Sequence, residues 1–331
     1  MANNKRVFYA CQAVAIASPS EANATPPKSP LAAFYMTGVQ SVGITTSFNL
    51  EQVFELGQLQ IYENIEGTPD VEVTIEKVFD GGISILDAAT QEAVKAATGG
   101  AATLVGRSTE RCRIALGLFS DTQDSVSNGP SKECIMDEMY VSNIAINIPV
   151  DGNATESISF VGNSKEWKAG NLVGVMNGLA GNADNTFTEN NVTGAGTHSP
   201  PNKANLLGGV QRRENFDLGN STLPTAIPGV DANGLGYTST DGNGKAIPLV
   251  HIQNISISTD LSREDVLELG RRNPYYRSPN FPIEVTCDIE IIATEDGDQI
   301  NAFEDGNPAL DNGPDEGNNT SEESIQILLE D

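Results

Sequence analysis

The sequence predicts a mainly β protein with one flanking α-helix and a long loop-rich insertion. Three observations carry this. Short runs alternate apolar and polar residues, a single run has helical caps around an Ala-rich body, and the chain repeats a strand-like block of its own.

The repeat sets the architecture. VQSVGITTSFNLEQVFELG, from Val39 to Gly57, returns as IQNISISTDLSREDVLELG, from Ile252 to Gly270. Aligned without a gap, Val42, Ile44, Val53, Leu56 and Gly57 fall on Ile255, Ile257, Val266, Leu269 and Gly270. Tyr62 and Pro69 then fall on Tyr275 and Pro282, and after a one-residue slip Glu72-Val73-Thr74 meets Glu284-Val285-Thr286. A looser third copy runs from Val141 to Gly162. Each copy opens as a strand with one apolar face and closes on glycine. The middle of the first copy reads as an extended arm, because Leu50, Gln52, Phe54 and Leu56 share one parity. In the second copy a short helix, capped by Ser262 with Asp265, and a strand both fit. Such an arm has too little apolar surface to fold alone. It must lie on its own chain or on another copy.

The other elements follow in chain order. Val7 to Ala17 reads as a strand, and ATPPKSP from Ala24 to Pro30 as a loop. In the strand from Val71 to Val78, Val71, Val73, Ile75 and Lys77 share one parity. Ser84 caps a helix near 84–97, with an acid three residues on and Gly99-Gly100 as its stop. Arg111 to Phe119 is a further strand. From Met139 onward Ile144, Ile146, Ile148 and Val150 alternate with Asn143, Ala145 and Asn147. Asp151-Gly152 then turns the chain into a returning arm from Glu156 to Val161. Trp167, just beyond, suits a core anchor or an interface plug. The Gly, Asn, Ala, Thr and Pro-rich stretch from Gly170 to Pro248 exceeds an ordinary connection. Ile283 to Ile292 is a clear strand. Twelve acids and no base between Glu295 and Asp331 predict a mobile, solvated segment, and the closing SIQILLED reads as a strand that stops with the chain. The expected division is a β core over 1–168, the insertion over 169–247, the repeated strand-arm-strand over 248–294 and an acidic end over 295–331.

Charge narrows the function. The 331 residues hold 19 Lys plus Arg against 45 Asp plus Glu, a formal charge of -26. Grip on nucleic acid or on anionic membrane needs clustered bases, so neither is expected. No window approaches the roughly 20 apolar residues of a membrane span, and MANNKRVFYACQAVAIASPSEA resembles a signal peptide less than a strand. Cys11, Cys112, Cys134 and Cys287 form no C-x-x-C pair and read as free, buried thiols. His198 and His251 lack metal-ligand spacing, the Asp/Asn/Gly loops lack a full calcium pattern, and phosphate loops and nucleophile elbows are missing. No catalytic, cofactor-binding or metal residues are therefore expected, and the chain is read as no enzyme. Arg271, Arg272 and Arg277 with Tyr275 and Tyr276 read as a patch that meets an acidic neighbour, stacking on bases being the other reading.

VFYACQAVAIA, GVQSVGITTSFNLEQVFELGQLQIYENIEGTPDVEVTIEKV and YVSNIAINIPVDGNATESISFVGNSKEW resemble the tail tube proteins of tailed bacteriophages. The likeness covers about Val7 to Trp167 and Leu249 to Ile292. It implies a β-sandwich or barrel of the tail-tube type with a flanking helix, self-assembled into rings, usually hexamers, that stack into a hollow tube. It implies a virion location in the tail, assembly in the host cytoplasm, and sheath, tape measure, tail terminator and baseplate proteins as partners. Viral DNA would pass without specific binding. Carried onto this chain, Phe54, Leu56, Gly57, Tyr62, Glu63, Leu269, Gly270, Arg271, Arg272 and Tyr275 become expected inter-subunit or ring-stacking residues, with Gln58 to Thr68 as the stacking loop. Asn143, Asn147, Asp151 and Gly152 become expected lumen residues. Acids facing the lumen would keep DNA phosphates from binding, so reversing several to Lys should slow ejection. The repeated block raises a variant with two modules per chain, in which a trimer mimics a hexamer. One module with an internally repeated element is preferred, since little chain follows Ile292. A phage baseplate or tail-completion protein is the near alternative. A secreted calcium- or carbohydrate-binding β-protein and a hydrolase on a β-scaffold are the distant ones.

Overall fold

The computed structural model describes residues 12–17, 34–57, 61–90, 103–118, 132–169, 187–189, 196–198, 209–216, 221, 223, 230, 237–240, 246–248, 250–292 and 327. The fold is mainly β, as the alternating runs predict. Expectations for Val7 to Cys11, Ala24 to Pro30, the stretch 91–97, Gln58 to Gln60, nearly all of the insertion and nearly all of the acidic end lie outside the described residues.

The strands are β1 (Gln12–Ala17), β2 (Phe34–Tyr35), β3 (Val39–Ser47), β4 (Leu50–Phe54), β5 (Ile61–Glu66), β6 (Asp70–Val78), β7 (Arg111–Leu118), β8 (Lys132–Pro149), β9 (Thr155–Gly162) and β10 (Glu166–Ala169). There follow β11 (Phe187–Glu189), β12 (Gly196–His198), β13 (Tyr237–Thr240), β14 (Ala246–Pro248), β15 (His251–Asp260), β16 (Arg263–Val266), β17 (Tyr276–Pro279) and β18 (Val285–Ile292). The main sheet runs β2-β1-β7-β8-β9-β6-β3. In addition β10 pairs with β8, β15 with β8, and β18 with β15. β1 and β7, β3 and β6, β6 and β9, and β7 and β8 all pair antiparallel. Among the described residues there are also four two-stranded sheets, including β4-β5 and β16-β17.

Where a single helix near 84–97 is expected, the described residues hold two short ones, α1 (Ile85–Ala89) and α2 (Leu104–Ser108). Ser84 Oγ accepts from Asp87 N at 3.0 Å, so the expected N-cap is in place. The helix ends at Thr90, whose φ of -115° and ψ of 35° leave the helical region, with its N–H and hydroxyl both donating to Leu86 O.

The chain divides into two compact units. The first comprises 1–145, 155–207 and 258–285. Its core is the inner face of the sheet with α1 laid on β1, β7 and β9. Val71, Val73, Ile75 and Lys77 all point inward from β6, while Glu72 and Glu76 face water. Burying Lys77 is tolerable because its Nζ meets Asp80 at 3.0 Å and donates to Ile83 O at 2.7 Å. Opposite Lys77 in the register, buried Glu156 accepts from Ile85 N and Leu86 N, so β9 caps α1 from below. Burial raises the Glu156 carboxyl above its ordinary range. Cys112 and Cys134 are buried free thiols, as expected, and Cys287 is a half-buried one. Trp167 is about half exposed on β10 and is no core anchor.

The second unit comprises 146–154, 208–257 and 286–331. In it Val150 N donates to Gln253 O and Ala154 N to Gln211 O, both at 2.9 Å, around the turn that Gly152 makes at a φ of 120°. Ala154, Leu223, Val250 and Ile255 are buried there.

A candidate assembly surface built from two arms

The sequence repeat is a structural repeat. In the first copy β3 leads into a hairpin arm, β4-β5, and returns as β6, which pairs with β3. In the second, β15 leads into the arm β16-β17 and returns as β18, which pairs with β15. The first arm is extended, as its parity predicts. The second, left open by sequence, is a strand pair too. The Ser262 capping pattern is unused: Ser262 adopts a φ of 39°, and its N–H donates to Asp260 Oδ1 at 2.8 Å. The looser third copy forms a plain hairpin of β8 and β9 without an arm.

Both arms lie in the first unit, and both turn at a glycine whose φ is 90°, Gly57 and Gly270. That backbone favours glycine, and the open space around each leaves conformation alone as the reason. Leu56 and Leu269, one residue before, are fully exposed. The first arm has almost nothing to rest on. All six residues of β5 are exposed, as are Leu50, Glu51, Gln52 and Phe54 of β4, so apolar side chains stand on both faces. A lone two-stranded sheet of this kind is marginal in water, and the exposed apolar surface calls for a cover.

The second arm is anchored. Arg277 is buried and donates to Asp70 Oδ1 at 3.1 Å and to Asn163 Oδ1 at 3.2 Å, with its Nε 3.0 Å from Asp265. Arg263 donates to Val141 O at 2.7 Å and to Ser108 O at 2.5 Å, and lies over the Tyr140 ring. Burial pulls the Arg263 guanidinium down to about 10. Tyr140 meets Tyr276 edge to face with centroids 5.9 Å apart.

The two arms touch at their roots. Arg272 donates to Glu66 O and Gly67 O, each at 3.0 Å, and Thr68 Oγ1 donates back to Arg272 O at 2.7 Å. Arg271 sits 3.4 Å from Glu268 and 5.5 Å from the centre of the Tyr275 ring. The basic patch therefore meets acids of its own chain, and one member, Arg277, points inward. Sequence reasoning missed the anchoring role of Arg263 and Arg277.

Of the expected stacking residues, Phe54, Leu56, Tyr62, Glu63, Leu269, Arg271, Arg272 and Tyr275 are all exposed on the arms. The expected lumen residues separate. Asn143 is half-buried in the first unit, whereas Asn147, Asp151 and Gly152 are exposed in the second. Among the described residues no group of three or more His, Cys, Asp and Glu could hold a metal ion, and no helix is long and apolar enough to cross a membrane.

No protein-family model matches the sequence, and no curated protein matches it. Solved structures with a partial likeness come from tail-like injection particles. One is the tube-terminating cap of the anti-feeding prophage: TM-score 0.32, 10% identity, covering 51% of this chain and 95% of that one. A second is from the baseplate of the same particle, at 0.33 and 8%, covering 51% and 99%. A third is the sheath-tube complex of an extracellular contractile injection system in its extended state, at 0.33 and 10%, covering 50% and 94%. The functional reading rests on the two arms.

Proposed function

We propose that the chain is a structural subunit of a phage-tail-type particle that assembles with copies of itself through its arms. Its rings, hexameric by family resemblance, stack into a tube through which DNA passes without specific binding. It works in the virion tail after assembly in the host cytoplasm, beside sheath, tape measure, terminator and baseplate proteins, and it catalyses no reaction.

One observation carries the reading. The β4-β5 arm has apolar side chains on both faces and none of the anchors that hold its counterpart, so it gains stability only when a neighbour covers it. The net charge of -26 suits a wall that lets phosphate slide past. A ring at a tube end or in a baseplate is the second reading. What favours it is the inequality of the arms, since a terminal ring needs fewer open contacts than a ring inside a stack. Electron microscopy of the purified protein tests both. Stacked rings or tubes support the tube wall, and single closed rings support the terminal position. A monomer at high concentration contradicts both.

A further inference from the structure

The arms differ in charge, and that difference selects which arm meets which. Between Leu50 and Glu66 the first arm holds Glu51, Glu55, Glu63 and Glu66 and no base. Its register sets Glu51 beside Ile65 and Val53 beside Glu63, so one face alternates acid with apolar side chains. Glu51, Glu63 and Ile65 are exposed there. The second arm keeps Arg263 and Arg277 inside the subunit and leaves Leu267, Leu269, Arg271 and Tyr275 exposed at its tip. Arg271 is held between the Tyr275 ring and Glu268, so little further freedom is lost when a partner arrives. A Tyr and Arg pair beside exposed leucines has the make-up of an interface anchor.

Three contacts between copies can be drawn. First arm on first arm sets carboxylates against carboxylates. Second arm on second arm sets Arg271 against its own copy. First arm on second arm sets an all-acidic arm against a tip where Arg271 and Arg272 flank the single carboxylate of Glu268, and so brings opposite signs around an apolar centre. The contact within one chain already has this polarity, with the Arg272 guanidinium of the second arm 3.8 Å from the Glu66 carboxylate of the first.

We infer that the face of the first arm around Glu51, Val53, Glu63 and Ile65 docks on the Arg271–Tyr275 tip of the second arm of another copy. This rests on the self-assembly reading and adds polarity to it. Unlike surfaces meet, so the contact is heterologous and propagates into a ring or a filament instead of closing a twofold dimer.

Charge reversal followed by sedimentation velocity tests the pairing. Glu51→Lys with Glu63→Lys in one chain, and Arg271→Glu in another, each raise the concentration at which assembly begins by about thirtyfold or more. The chain with all three changes assembles near the wild-type concentration, because both signs are reversed together. Arg271→Gln, which removes charge without adding any, replaces Arg271→Glu if that variant fails to fold, and it too must weaken assembly. Either single-arm variant assembling as wild type overturns the inference. So does a triple variant that melts like wild type and stays monomeric. Wild-type protein that never assembles removes the self-assembly reading as well, whereas assembly without rescue removes only the pairing.

Discussion

The two arms grow from one repeated block and turn at glycines of equal φ, yet the chain holds one and leaves the other open. Three aligned positions separate them. Phe48 is 72% exposed where Leu261 is 1% exposed. Leu50 stands where Arg263 reaches two backbone carbonyls, and Asn64 stands where Arg277 reaches Asp70 and Asp265. The shared features, period two and a closing glycine, set the backbone plan. Whether that plan folds onto the rest of the chain is set by side chains that the plan leaves free to vary. The copy without anchors is the one we propose meets a partner.

The sharpest way to break this comparison is a matched pair of truncations. Leu261→Ala removes a core side chain and should cost about 2–5 kcal/mol, while Phe48→Ala should change stability by less than about 0.5 kcal/mol. Urea unfolding of the unassembled protein reads both, and equal losses would end the distinction between the arms. Arg277→Met is next in size. It leaves Asp70 and Asp265 without their guanidinium and should cost about 1–3 kcal/mol, with faster amide exchange over 263–266 and 276–279. Asn64→Ala at the aligned position should leave exchange in the first arm unchanged. The smallest effect belongs to Arg272→Ala, which removes two donors at the root of the first arm and should cost about 1 kcal/mol. Hydrogen exchange near Thr68 should rise, and the protection of β6 should stay as it was.

Much of the frame was legible because its signals are local. Alternation located β6 and even the inward Lys77, whose partners Asp80 and Ile83 lie a few residues on. The Ser84 cap and the Asp151-Gly152 turn were equally readable, each resolved within a few positions of chain. The anchors were not. Arg277 finds Asp70 across 207 positions and Arg263 finds Val141 across 122, so nothing near either residue marks it as inward-facing. Arg271, Arg272 and Arg277 around two tyrosines read as surface until those distant partners are in place. The Ser262-Asp265 pattern misled for the same reason. Leu261 is drawn into the core and its N–H donates to Ser142 O at 2.8 Å, which commits Ser262 to a left-handed turn before a helix can start.

The central claim is that the first arm is an assembly element. It is tested most directly by replacing Leu50 to Glu66 with a short Gly-Ser linker and imaging that variant beside the wild type at equal concentration. The account predicts rings or stacked tubes from the wild type, and from the variant a folded monomer whose stability falls by no more than the about 1 kcal/mol of the Arg272 contact. Assembly by the armless variant as readily as by the wild type would contradict it.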